Sequence, residues 1–335
     1  MRSLIVAVIL ALVSAAATAA ELEVAFFNVE SDHSERRTIG NQIARYYRDH
    51  QIDLWAFAEI WDQDWEREFI DEISKAHDRA TRQDIEFRGV LGETGGDNRL
   101  LVVYSPAKLE VVRSEELSGL AIRRSNPSPL MVHFRLRGGP EFLLVVARLD
   151  RYREEVREQA AEGLNRWASS QTLPVLAVGT FGFGWATKDD GATREPAYDE
   201  LVAGDVFSWV RPGKVVATEC GPSETVEDFV FVAGQARDWP VKTRVLSPAP
   251  NYCPDSDLTS SHRPLLAQIV YQDANAVLPV VAATPSTLPV GLPTAEDQLD
   301  PATREEILRR IAVIEAELDA LKALLGVEDV LEAAR

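Results

Sequence analysis

Eight short apolar runs constrain this chain more than any other feature of its sequence: "LEVAFFNV", "DLWAFAEI", "RLLVVYS", "LMVHFRL", "EFLLVVARL", "LPVLAVG", "EDFVFVA" and "PLLAQIVY". They lie between residues 22 and 272, are rich in β-branched and aromatic residues, and are bounded by charged or turn-forming residues, the pattern of strands. Between them lie segments of helical period. "SERRTIGNQIARYYRDH" sets Ile39, Ile43 and Tyr46 on one face, and "RYREEVREQAAEGLNRWA" does the same with Val156, Ala160, Leu164 and Trp167. "RGGP" joins two of the runs as a hairpin. Hairpins mixed with strand–helix–strand units predict an α/β domain with a mixed sheet, not a purely parallel one.

One run ends at Gly179 inside "LPVLAVGTFGFGW". Gly182 and Gly184 after it predict a loop where backbone approaches a ligand closely. Loops leaving strands are preferred places for chemistry in α/β proteins. Yet this one offers no acid, no base and no metal ligand better than the Thr180 hydroxyl.

The ends of the chain have a different texture. Arg2, the apolar "LIVAVILALV" and the small-residue "SAAATAA" predict a signal peptide over residues 1–20, cleaved after Ala19 or Ala20. No later stretch is long and apolar enough to span a membrane, so an exported protein, periplasmic or secreted, is expected. In such an oxidising compartment Cys220 and Cys253 are expected to form a disulfide, with two free buried thiols as the alternative. After Tyr271 a Pro/Ala/Thr-rich stretch over residues 273–300 reads as a linker. Asp300 and Pro301 then open a helix over residues 301–335. Ile307, Ile311, Ile314, Leu318, Leu321 and Leu325 form a heptad seam in it, which predicts self-association through residues 301–325 or packing on its own domain. If the seam carried the main function, the protein would serve in assembly. The formal net charge of −18 disfavours an extended grip on nucleic acid, though not a local basic cleft or a bound metal ion.

The candidate chemistry lies at the strand ends. Asn28 follows the first run, Glu59 closes "LWAFAE", Arg148 closes "LLVVAR", Thr180 and Gly182 follow "VLAVG", Asp228 opens "DFVFVA", and His262 precedes the last run. Taken singly, each also fits a turn, a cap or a structural role. In this order and spacing they resemble the endonuclease/exonuclease/phosphatase superfamily, the deoxyribonuclease I-like proteins, over residues 22–272. The resemblance implies a two-sheet α/β sandwich with helices on both outer faces, acting on phosphoesters with Mg²⁺. It assigns metal binding to Glu59 and Asn28, phosphate contact to Asn28 and His262, and a catalytic role to Asp228 and His262. A hard cation on oxygen ligands would neutralise the phosphoryl group there.

The departures from the family pattern fall at the chemistry. Arg148 stands where "HL" has histidine, Thr180 and Gly182 replace the aspartate and asparagine of "GD-x-N", and Ser261 replaces the aspartate of "SDH" that orients His262. Threonine cannot take a proton from water as aspartate can, and a lost general base typically costs 10²–10⁴-fold. Arg148 keeps a bidentate donor for phosphate but cannot exchange protons. The expected function is therefore binding with little or no hydrolysis, the ligand being a phosphorylated small molecule, a lipid head group or a protein partner. The alternative is a divergent Mg²⁺-dependent phosphoesterase built on Glu59 and His262. Activity could also be rebuilt from Thr180, His262 and Asp228 as nucleophile, base and orienter, or with Asp150, Asp189 or Asp190 supplying a missing carboxylate.

Overall fold

The computed structural model describes residues 19–120, 126–220, 225–247 and 258–272, all within a compact unit spanning residues 1–278. The predicted linker, the predicted C-terminal helix and Cys253 lie outside the described residues. The first half of the chain forms β1 (Ala19–Asn28), α1 (Arg36–His50), β2 (Leu54–Ile60), α2 (Gln63–Thr81), β3 (Arg88–Leu91), β4 (Arg99–Tyr104) and β5 (Leu109–Glu116). Then come β6 (Leu130–Leu136), β7 (Glu141–Arg148), α3 (Glu154–Ser169), β8 (Val175–Ala186) and α4 (Pro196–Val202). Four strands close the domain: β9 (Phe207–Trp209), β10 (Thr225–Ala233), β11 (Val241–Val245) and β12 (Leu265–Gln272).

The strands form two six-stranded sheets, ordered β11-β12-β1-β2-β4-β3 and β5-β6-β7-β8-β10-β9. Side-chain alternation sorts each strand between two apolar layers. In β2, Leu54, Ala56 and Ala58 face the other sheet, where they meet residues such as Val146 and Val178. Trp55 and Phe57 point the opposite way, under Ile39 and Ile43 of α1 and Phe69 and Ile73 of α2. In the second sheet Val145, Ala177 and Phe231 pack under Ala160 and Leu164 of α3 and Leu201 of α4. Both faces of each sheet are covered, which is why these runs read as continuously apolar. The result is the predicted two-sheet α/β sandwich with helices on both outer sides.

Two strand–helix–strand units position the polar strand ends. β1 and β2 are parallel across α1, and β7 and β8 are parallel across α3. Asn28, Glu59 and Arg148 come at or near the carboxyl ends of their strands, and Thr180, midway along β8, is the last residue of its parallel pairing with β7; open α/β sheets present ligand sites at this edge.

One expectation needs correction. The glycine-rich "TFGFGW" is not a loop: β8 continues through it to Ala186. Gly182 and Gly184 have φ of +66° and +57°, so the strand swings outward without breaking. Between the pairs Thr180↔Asp228 and Trp185↔Val226, four β8 residues face the single β10 residue Glu227. Phe181 and Phe183 bury their rings under the helices, stacked on one another at 5.4 Å between centroids, while Gly182 turns a bare backbone to the strand-end pocket. β1 starts at Ala19, and Ala19 and Ala20 pair with Gln272 and Tyr271; residues 1–18 of the predicted leader lie outside the described residues.

The sequence reading missed β3, β5, β9, β11, α2 and α4. β5, "LEVVRSEE", buries only Leu109, and an edge strand carrying charges has no clear apolar alternation.

Candidate active site

Glu59 is the residue most shaped by its backbone. The pairing of β2 with β4 shifts register between Phe57 and Ile60, and Glu59 adopts φ +60°. A non-glycine residue held there stores of order 1–3 kcal/mol of strain. The turn sends the carboxylate of a buried residue toward the end of the sandwich.

There the predicted residues meet in one hydrogen-bonded chain. Arg148 Nε donates to Glu59 Oε1 at 3.0 Å, and Asn28 Nδ2 donates to the same oxygen at 3.1 Å. Asn28 Nδ2 also donates to Thr180 Oγ1 at 3.1 Å, and Thr180 Oγ1 donates to Asp228 Oδ1 at 2.6 Å. The other oxygen, Asp228 Oδ2, lies 2.7 Å from His262 Nδ1. Asn28 Oδ1 turns away from this chain and accepts from the Glu30 amide at 3.2 Å. That amide fixes which end of the side chain is oxygen.

The two ends of the chain carry positive charge. Burial alone would lower the His262 pKa, but the Asp228 carboxylate outweighs it and pushes the value up to about 9. His262 is therefore a cation at neutral pH. Burial would likewise raise the pKa of Glu59, yet Arg148, the Asn28 amide and His262 together hold it below the ordinary carboxylate value. Glu59 and Asp228 thus each face a cation.

Residues outside the predicted set hold this arrangement in place. The Thr218 hydroxyl accepts from the amides of Glu227 and Asp228 at 2.9 and 3.0 Å. Ser260 Oγ donates to the Asn28 carbonyl at 2.7 Å and accepts from the His262 amide at 3.0 Å. Glu30 accepts from the Ser261 amide at 2.6 Å, so the turn before β12 is tied to the end of β1. Arg151 pairs with Glu219 at 2.8 Å at the mouth. Glu227 lines the pocket opposite the β8 excursion, and burial pushes its pKa above the usual range. No motif marks Thr218 or Glu30, while Ser260 holds the serine position of the "SDH" motif without having been singled out. Glu227 is marked only by its place beside Asp228, and its partner, the Gly184 amide at 3.3 Å, depends on the unforeseen course of β8.

The structure revises three expected roles. Ser261 in place of aspartate does not leave His262 unoriented, because Asp228 makes that bond. Thr180, His262 and Asp228 do not form a nucleophile–base–orienter set: Asp228 lies between the other two, and the threonine proton goes to the carboxylate. Asp150, Asp189 and Asp190 do not refill the site. Asp150 Oδ1 accepts from the amides of Tyr152 and Arg153, Asp189 accepts from Thr193 at 2.8 Å, and Asp190 pairs with Arg211.

The fold has counterparts among solved structures. An endonuclease/exonuclease/phosphatase family protein from Bacteroides thetaiotaomicron superposes with a TM-score of 0.55 at 16% identity, over 76% of this chain and 97% of that one. The fold is that of the endonuclease/exonuclease/phosphatase proteins. A Bacteroides thetaiotaomicron mannosyl-6-phosphatase shares this fold with a TM-score of 0.52 at 18% identity, over 75% and 100% of the two chains. D. rerio TDP2 in complex with a single-strand DNA product does so at 0.56 and 11%, over 75% and 99%. No protein-family model matches the chain, and no curated protein does.

Mg²⁺, which the endonuclease/exonuclease/phosphatase resemblance implies, does not fit the residues this chain places here. Of the two expected ligands, Asn28 presents its amide nitrogen to the site, and Glu59 Oε1 is held by two N–H donors. Both oxygens of Asp228 are engaged as well. Among the described residues no group of three or more His, Cys, Asp or Glu could hold a metal ion. A hard cation prefers carboxylate, carbonyl and water oxygens, whereas N–H donors converge on Glu59. The cavity they bound is small, about 30 Å³, room for a water or two.

Proposed function

We propose that this domain keeps a phosphoesterase-like fold but binds an anionic, phosphoryl-type group without efficient hydrolysis. The observation that carries the reading is the destination of the Thr180 proton. The hydroxyl at the position assigned to the general base donates to Asp228, and His262, already protonated, has no capacity left as a base at neutral pH. Attack on a phosphoryl group needs something to position and deprotonate water. What remains is charge recognition. Arg148 lies inside the pocket, and Arg151, half-exposed at its mouth, offers a second guanidinium of the geometry that suits phosphoryl oxygens.

The test is hydrolysis of a bis-aryl phosphodiester by the purified chain with Mg²⁺, Mn²⁺ or chelator, beside Glu59→Ala. The expected outcome is no turnover above that control. Metal-dependent turnover that disappears in Glu59→Ala would overturn the reading. One observation favours a slow enzyme instead: Glu227, a pocket carboxylate with a raised pKa, is the group placed to take a proton. In that case Glu227→Gln would abolish the residual rate.

Export is part of the proposal, with residues 1–20 as the leader, cleaved after Ala19 or Ala20. N-terminal sequencing of the exported protein checks the cleavage point. A Cys220–Cys253 disulfide belongs to the same reading, and thiol counting under denaturing, non-reducing conditions should find none free. Self-association through residues 301–325 predicts that residues 19–335 sediment as a larger particle than residues 19–275, beyond the difference in chain mass.

A further inference from the structure

We infer that the guanidinium of Arg148 is a built-in replacement for a divalent cation, and that it masks a metal site which its removal would open. The inference builds on the anion-binding reading above and extends it to the origin of the site's positive charge.

Glu59 is delivered to the pocket by a strained backbone turn at φ +60°, a conformation that aims one carboxylate at one spot. What meets it is Arg148 Nε at 3.0 Å, with both side chains about nine-tenths buried. Arg148 comes from the end of β7, paired in register with Thr180 on β8. The arginine is thus fixed by the sheet and is not a surface side chain that happened to fold inward. A second cation on the same carboxylate would face the guanidinium at close range in a poorly solvated site, and like charges there repel strongly.

Substituting a neutral side chain changes the balance. Without Arg148, the buried Glu59 carboxylate loses its main counter-ion and keeps only the Asn28 donor. Glu227 lines the same cavity and has no cation paired with it among the described residues. Two carboxylates, room vacated by a long side chain, and water suit Mn²⁺ or Mg²⁺.

The experiment is Mn²⁺ titration of the full chain, read by electron paramagnetic resonance of free Mn²⁺ and by the unfolding temperature. Wild type, Glu59→Gln, Arg148→Met and Arg148→Met/Glu59→Gln are compared. The expected result is equal, weak Mn²⁺ uptake by wild type and Glu59→Gln, from the acidic surface alone. Arg148→Met should bind at least tenfold tighter and rise in unfolding temperature with Mn²⁺, and the double variant should return to the wild-type curve. Wild type binding more Mn²⁺ than Glu59→Gln would overturn the inference, because the metal would then bind with Arg148 in place. So would an Arg148→Met protein that binds no tighter than wild type. If Arg148→Met is unfolded without metal, failure of millimolar Mn²⁺ to refold it counts against the inference equally. None of these readouts uses hydrolysis, so an active enzyme would defeat the proposed function and leave this question standing.

Discussion

Asp228→Asn keeps the shape of a buried side chain and removes the charge that holds His262 protonated. The consequence can be worked from the pair itself. His262 has a folded-state pKa of about 9 against an ordinary value of 6.5. A group whose folded pKa is raised contributes stability that is complete below the unfolded pKa and is lost as pH rises through the folded one. Wild-type stability should therefore be flat in this contribution below pH 6.5, fall between 6.5 and 9, and level off above. At roughly 1.4 kcal/mol per pH unit the loss across that window is about 3 kcal/mol. In Asp228→Asn the carboxylate is gone and burial dominates, so the His262 pKa should fall below its ordinary value. The variant should then show no decline over the same window. Urea unfolding at pH 6, 7.5 and 9, at constant ionic strength, measures the difference between the two proteins, in which unrelated titrations cancel. The gap should be largest at pH 6 and shrink by about 3 kcal/mol by pH 9 to 10. An imidazole NMR titration identifies the group. Parallel pH profiles for the two proteins, or a His262 that titrates near 6.5 in the wild type, would refute the reasoning.

Three other perturbations probe the same network. Glu59→Gln leaves the Arg148 guanidinium buried without its counter-ion and should cost about 3–5 kcal/mol in urea unfolding; Glu59→Leu with Arg148→Met should recover most of it. Thr180→Asp sets a second carboxyl against Asp228 Oδ1, now 2.6 Å from the threonine oxygen, so one of the two must hold a proton. That variant should lose roughly 1–3 kcal/mol relative to wild type as pH rises from 5 to 8. Gly179→Ala would place its Cβ 2.0 Å from the Ala147 carbonyl oxygen, where neighbouring backbone cannot give way. A loss of about 3 kcal/mol is expected, read as a fall in the thermal unfolding midpoint.

The sandwich was legible because its central strands are covered on both sides. β2 must be apolar at every position from Leu54 to Ala58, and a run that short, with Trp55 and Phe57 in it, favours a strand covered on both faces over a helix. The edge strands were not legible, since a strand such as β5 needs one apolar anchor and otherwise meets solvent. The same asymmetry runs through the site. Asn28, Glu59, Arg148, Thr180, Asp228 and His262 could be singled out because each is a polar residue at the end of an apolar run. Their wiring could not, because it turns on distances between residues up to 152 positions apart in sequence. The sequence places Ser261 next to His262, and adjacency suggests that the serine matters to the ring. In the folded chain the ring bonds to Asp228, which comes from the other sheet of the sandwich, and Ser261 serves through its amide. The glycines of "TFGFGW" misled for a related reason. Positive φ in two glycines is compatible with a loop and with a strand that swings outward, and the choice is made by Phe181 and Phe183, whose rings need the core under the helices.

The charges around the pocket limit what kind of ligand it can take. Glu30, Glu59, Glu219, Glu227 and Asp228 surround three cations, Arg148, Arg151 and His262. Acids outnumber bases, so an anion gains nothing from the net field and must displace a carboxylate from its guanidinium. Displacing Glu59 leaves a buried carboxylate with less to hold its pKa down, and burial then drives it toward taking up a proton. Under the proposed function, binding of a phosphoryl group inside the pocket is thus expected to be coupled to proton uptake and to strengthen as pH falls. Displacing Glu219 from half-exposed Arg151 carries a smaller desolvation cost, because that carboxylate can return to water. An anionic ligand of the proposed kind would therefore make its first contact at the mouth, with Arg151, and Arg148 would engage only a ligand that brings a proton with it or finds Glu59 already neutral.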